Sequence, residues 1–258
     1  MPKFVLFFLL IFISLSWFSP VSAQEFTWNT DEDLTYGVDW TFIRLGEIHL
    51  KLIGREEING KMTNHIRLII ESNPLLFWLD NQSVYDSYVT DSLKVMRFIS
   101  DEKVDGKLYN ARYDFDYDKE KIYLSLLSKE NNEARQDKVI DLKPKLYDGI
   151  SLIYFARKNS LYIKPDTVST FIEDKSGNVM FNFLDEKHMT QIDAAKSDIQ
   201  TVYFDGQLDV TGIAGVTGPF KAWFSDDSYR VPILAHLDVF IGSVKISLEK
   251  WKDWTPPY

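Results

Sequence analysis

The 258-residue sequence contains no cysteine, which excludes disulfides, thiolate catalysis, zinc–thiolate sites and a lipidated N-terminal cysteine together. A basic excess is missing as well. The formal net charge of −9 leaves nothing to neutralise phosphates, so nucleic acid is not expected as a partner. After residue 23 no apolar run reaches the length of a membrane-spanning helix, and an integral membrane protein is not expected. Catalytic signatures are scarce. Gly-x-Ser-x-Gly and His-Glu-x-x-His do not occur, and the glycine stretch Gly212–Gly218 lacks the Gly-Lys-Ser/Thr of a phosphate loop. There is no internal repeat, low-complexity tract or linker, so residues 24–258 read as one domain. Hydrophobic residues at 45% and charged residues at 26% still describe a chain able to build a core.

What is present begins with an address. Lys3 precedes an apolar run from Phe4 to Phe18, and Ser19, Pro20, Val21, Ser22 and Ala23 follow. A charged start, a run too short to span a bilayer and small residues before the junction describe a secretory signal peptide over residues 1–23. The expected location is outside the cytoplasm, in the periplasm of a Gram-negative envelope.

From Leu34 onward the dominant period is two. Tyr36, Val38, Trp40 and Phe42 alternate with Gly37, Asp39 and Thr41, and Ile48, Leu50 and Leu52 repeat the pattern. Asn59-Gly60 marks a hairpin, because both residues tolerate positive φ. Ile66, Leu68 and Ile70 form the next apolar face. Similar segments recur near 93–100, 108–117, 121–127, 167–173, 179–184, 199–210, 220–224, 231–240 and 243–249. Turn residues at 118–120, 175–178 and 225–227 separate them. The expected fold is mainly β: an antiparallel curled sheet, a barrel or half-barrel of roughly a dozen strands. Two short helices interrupt it, one over about 74–79 after Asn73-Pro74 and one over about 148–158 behind Asp148.

Four segments resemble the bacterial exported family known as domain of unknown function 3108. They are Tyr36–Glu47 (YGVDWTFIRLGE), Asp86–Leu93 (DSYVTDSL), Tyr147–Arg157 (YDGISLIYFAR) and Trp223–Pro232 (WFSDDSYRVP), the last followed by Gly242-Ser243-Val244. Their order covers nearly all of the chain after residue 23. The resemblance implies a β-barrel-like fold in the periplasm and assigns no activity. A distant similarity to periplasmic lipoprotein carriers, open half-barrels that bind acyl chains, stands as an analogy of fold, which does not carry function.

Candidate chemistry is thin. Asp114, Asp116, Asp118 and Glu120 alternate with Tyr113, Phe115 and Tyr117 but lack the glycine and the terminal glutamate of a calcium loop, so they read as the wet face of a strand. His49, His65, His188 and His236 are scattered, and neither metal nor cofactor is expected. No catalytic residue is nominated, although a hydrolase using Asp226 and Asp227 stands as a minor alternative. An outer-membrane barrel is disfavoured by Pro256 and Pro257 at the C-terminus. The aromatic residues suggest a cavity for a lipid or other apolar envelope component, with Trp40 and Trp223 lining it and Trp78 at its mouth. Arg157, Asp226, Asp227 and Arg230 are further ligand candidates. The Ser225–Arg230 segment also reads as a structural turn in which aspartates satisfy local amides and pair with Arg230. The competing class is an envelope structural or interaction protein whose barrel is filled.

Overall fold

The computed structural model describes residues 25–76, 81–104, 107–128, 136–142, 145–172, 175–239 and 242–258. Its strands are β1 (Asp33–Trp40), β2 (Ile43–Ile58), β3 (Lys61–Ser72), β4 (Asn81–Val89), β5 (Val95–Val104), β6 (Lys107–Asp116), β7 (Lys121–Ser128) and β8 (Gln136–Asp141). Then follow β9 (Leu146–Tyr147), the helix α1 (Gly149–Asn159), β10 (Lys164–Ile172), β11 (Lys175–Thr190), β12 (Ile199–Leu208), β13 (Gly218–Ser225), β14 (Pro232–Val239) and β15 (Gly242–Trp251). All fifteen strands join one sheet, ordered β8-β7-β6-β5-β4-β3-β2-β1-β15-β14-β13-β12-β11-β10-β9. Sequential hairpins account for most of this order. The first described strand pairs with the last through β1 and β15, and among the described residues β9 and β10 form the one parallel pair, across the α1 connection.

The curl follows from alternation. On β2 and β3, Leu50, Leu52, Ile66 and Leu68 point inward and are buried, while Lys51 and Arg67 face out. Asn59 (φ +50) and Gly60 (φ +73) make the β2–β3 hairpin that their sequence suggests. Of the acidic run, Asp114 and Asp116 lie on the outer side of β6 and Asp118 and Glu120 fall in the turn after it: Arg97 and Arg112 donate to Asp114, and Lys119 to Asp116. Phe115 and Tyr113 on the same strand are buried.

Three expectations are revised. Phe42 does not continue the apolar face of β1: Thr41 turns at φ +55, so Phe42 lies in the β1–β2 connection and is exposed. Residues 175–178 belong to β11 and pair with β10. Of the two helices, α1 forms, whereas Pro74-Leu75 makes a turn and residues 77–80 lie outside the described residues.

Candidate functional site

The site is organised by α1, which runs through the inside of the curl. Asp148 caps it: its Oδ1 accepts from the Ile150 and Ser151 amides at 2.8 and 2.7 Å, and the Ser151 hydroxyl accepts from the Asp148 amide at 2.8 Å. Ser87 of β4 donates to the other carboxylate oxygen at 2.5 Å, tying the start of the helix to the opposite wall. Burial pushes the Asp148 carboxyl above its usual range, with the Ser87, Ser151 and Ile150 hydrogen bonds acting against that rise.

The other end is tied by charge. Arg157, fully buried, donates to both Glu32 oxygens at 2.7 and 2.6 Å and to the Tyr229 carbonyl at 3.1 and 2.8 Å. The Tyr154 hydroxyl donates to Glu32 at 2.7 Å, and the guanidinium lies 4.7 Å from the Tyr154 ring centre. Desolvation alone would lower the Arg157 pKa, but the Glu32 charge and hydrogen bonds outweigh it and hold the cation above its ordinary range. The hydroxyls of Tyr36 and Tyr154 are pushed up, first by burial and then by Glu32. Two buried tethers therefore suspend α1 at a fixed height.

Between α1 and the inner faces of β1–β3 and β11–β15 lies a cavity of about 490 Å³. Leu152, Ile153 and Ala156 line it from the helix; Leu50, Phe181, Phe204, Phe220 and Phe224 are among the sheet residues. Glu47, Glu71 and Ser72 are the polar exceptions apart from the Tyr36 phenol, and they stand at the strand ends. Leu45 and Gly46, together with Gly212, Ile213, Gly215 and Val216 of the β12–β13 connection, complete that rim. Gly215 turns at φ +76, and at Gly46 any side chain would overlap the Glu71 carbonyl. This volume falls in the roughly 300–1,000 Å³ range of small-molecule sites. Each methylene moved from water into such a lining is favoured by about 0.8 kcal/mol. Away from Glu47 and Glu71 at the strand ends the lining offers no charged group, so the part of a guest that enters must be apolar.

The nominated residues fall in three places. Trp40 ends β1 beside Gly242, and Trp223 lies on the outer face; neither is among the lining residues. Trp223 donates to His188 Nδ1 at 2.9 Å and packs against Tyr203 and His236, because its neighbours Ala222 and Phe224 take the inward positions. The Tyr203 hydroxyl, raised to about 12 by desolvation and by Asp205, completes this outer ladder. Trp78 lies outside the described residues. Arg157 sits in the helix tether. Asp226, Asp227 and Arg230 share the β13–β14 turn, at the opposite strand ends from the Gly212–Val216 rim. Asp227 Oδ1 accepts from Ser225 Oγ and from the amides of Tyr229 and Arg230, and its Oδ2 from Trp254 Nε1 at 2.7 Å. Asp226 pairs with Lys187 at 2.6 Å. Arg230 is buried with φ +45, and burial lowers its pKa.

Residues 35–249 match the family described as "Protein of unknown function (DUF3108)". The chain belongs to the DUF3108 family. None of the curated proteins matches it. Among solved structures, this DUF3108 chain is similar to the β-barrel-like protein of the domain-of-unknown-function family DUF1849 from Brucella abortus. The TM-score is 0.59 at 12% identity, covering 87% of this chain and 99% of that one. A likeness at that identity speaks for the fold. Among the described residues of this DUF3108 member, no helix is long and apolar enough to cross a membrane.

Sequence reasoning missed Glu32 and Ser87. Glu32 sits between Asp31 and Asp33, and nothing in an acidic run marks which member is buried. It also missed that the cavity surface is made of aliphatic and phenylalanine side chains, since alternation tells inner from outer faces but not which inner residues pack and which border a void.

Proposed function

We propose that this DUF3108 protein is exported through a signal peptide at residues 1–23, folds from 24–258 as one domain in the periplasm, and holds a hydrophobic or amphipathic envelope component. The observation that carries the reading is the open, apolar cavity of about 490 Å³ beside α1. A filled barrel with a purely structural role fits that void poorly. A hydrolase built on Asp226 and Asp227 is disfavoured because Asp226 pairs with a surface lysine, while Asp227 is taken up by the Ser225 hydroxyl, two amides of its own turn and the Trp254 indole. The guest enters apolar end first, and any polar head stays near the rim of Glu47, Glu71 and Ser72.

The test is saturable binding of an environment-sensitive apolar dye to the purified protein, with Ala235→Trp as the blocking variant. Ala235 lines the cavity from β14 and is only partly covered, so an indole there occupies the void without displacing packed core. Dye binding should fall to background while the melting midpoint stays within a few degrees. Equal dye binding by both proteins would refute the assignment. Mass spectrometry of lipid co-purified from native envelope then identifies the guest.

A further inference from the structure

Two exposed side chains, each three residues from a cavity-lining residue (Leu45 and Ser72), point to the place where the guest is collected. Phe42 is 92% exposed and Leu75 is 83% exposed, the highest values among the exposed large apolar side chains described. A single exposed apolar residue is ordinary on a protein surface. These two stand together at one end of the sheet. Phe42 occupies the β1–β2 turn, Leu75 follows β3, and Leu45 between them lines the cavity.

Both are presented by fixed backbone. Asn73 organises the second turn: its amide donates to the Leu45 carbonyl at 2.7 Å and its side chain to the Arg44 carbonyl at 2.9 Å. Its Oδ1 accepts from the Leu75 amide at 3.0 Å, and its carbonyl from the Leu76 amide at 2.9 Å. In the first turn the Thr41 hydroxyl donates to the Trp40 carbonyl at 2.7 Å. The Asn73–Leu75 turn is therefore strapped to the start of β2, next to the β1–β2 turn, and Phe42 and Leu75 are held out into water.

We propose that the Phe42–Leu75 rim docks on a lipid bilayer, inserting both side chains among the acyl chains next to the cavity mouth. The proposal rests on the reading of the cavity as an apolar ligand site. A guest that avoids water passes most readily between two apolar phases when they touch, and the inserted rim brings Leu45 and the mouth to the membrane. Insertion has to supply the attraction, because a formal net charge of −9 repels anionic headgroups.

Sedimentation of the purified protein with phosphatidylcholine vesicles, and with vesicles containing added phosphatidylglycerol, tests this. The wild type should co-sediment with the neutral vesicles and less with the anionic ones at low salt. Phe42→Ser combined with Leu75→Ser should weaken partitioning by roughly tenfold or more while dye binding in the cavity persists. Circular dichroism checks folding, and Phe42→Ser alone decides the matter if Leu75→Ser disturbs the Asn73 turn. A wild type that stays in the supernatant with both vesicles, or a double variant that partitions like wild type, overturns the docking proposal. The former result leaves an apolar protein surface as the rim's partner; the latter places vesicle binding elsewhere on the protein. Vesicle binding without dye binding sinks the cavity reading and spares the docking; dye binding without vesicle binding does the reverse.

Discussion

In an Arg157→Met variant, methionine fills much of the space of the arginine stem, but the buried Glu32 carboxyl loses its counter-charge. The variant gives up the paired bonds to Glu32 at 2.7 and 2.6 Å and two bonds to the Tyr229 carbonyl. Glu32, 3% exposed, is left with the Tyr154 hydroxyl. Removing one member of a buried ion pair costs about 3–5 kcal/mol. In a chain of this length each kcal/mol moves the midpoint by about 2–4 °C, so thermal unfolding should shift down by roughly 6–20 °C. The double variant Arg157→Met with Glu32→Leu removes the stranded carboxyl and should recover at least half of that loss. Far-UV circular dichroism and tryptophan fluorescence, followed in both heat and urea, provide coincident probes. A single variant that loses under about 1 kcal/mol, or a double variant whose loss equals the sum of the two singles, would show that the tether does not hold α1 as argued.

Asp227→Ala should lower stability by about 1–3 kcal/mol, since it leaves two turn amides and the Trp254 indole without their acceptor, and urea titration reads the loss. Asp226→Ala removes a pair with a mostly exposed lysine and should cost under about 1 kcal/mol by the same titration; a larger loss for Asp226 than for Asp227 contradicts this account of the turn. Asp148 titrates above its ordinary value in the folded state, so the native protein keeps a proton that the unfolded chain has released, and this group's contribution to stability falls as pH rises through that window. Lowering the pH from 7 towards about 4 should therefore move the wild type upward relative to Asp148→Asn, whose amide does not titrate, and parallel stability curves for the two would refute the assignment.

The hairpins at 59–60 and 118–120 were legible because short-range chemistry decides them. The β1, β2 and β3 faces were legible because burial on one side imposes strict alternation. β4 was not, and its inward positions explain why: Ser83 and Ser87 are buried there, so the apolar period is broken where the wall must offer Asp148 a hydroxyl. In β11, Gly177 leaves room for Val210, and a bulge between Phe183 and Glu186 with Asp185 at φ +53 interrupts a strand that otherwise runs sixteen residues. The capping role of Asp148 was readable from its place before the helix. Trp40 and Trp223 were misleading as cavity markers because an aromatic alternating with apolar neighbours can take either face, and at Trp223 the cross-strand partners Tyr203 and His236 on the outside decide it.

The order of strands also says how the molecule could be cut. The edge strands of the described sheet, β8 and β9, are separated in sequence only by residues 142–145, so the two ends of the ladder are neighbours in the chain. The β1–β15 pairing joins the earliest described strand to the latest, and the terminal segments touch nearby: Thr27 donates to the Ser228 carbonyl, and Asn29 reaches the Asp253 carbonyl. A permuted gene that begins at β9 and ends at β8, with a short linker from Tyr258 to Glu25, would keep every ladder in the molecule. In that order the β1–β15 clasp becomes a neighbouring hairpin, and each half of the sheet forms from local pairings. The natural order instead delays the clasp until β15 is available, so two growing meanders must stay soluble side by side with their inner faces open. Slower folding of the natural chain than of the permutant is the kinetic signature of that arrangement.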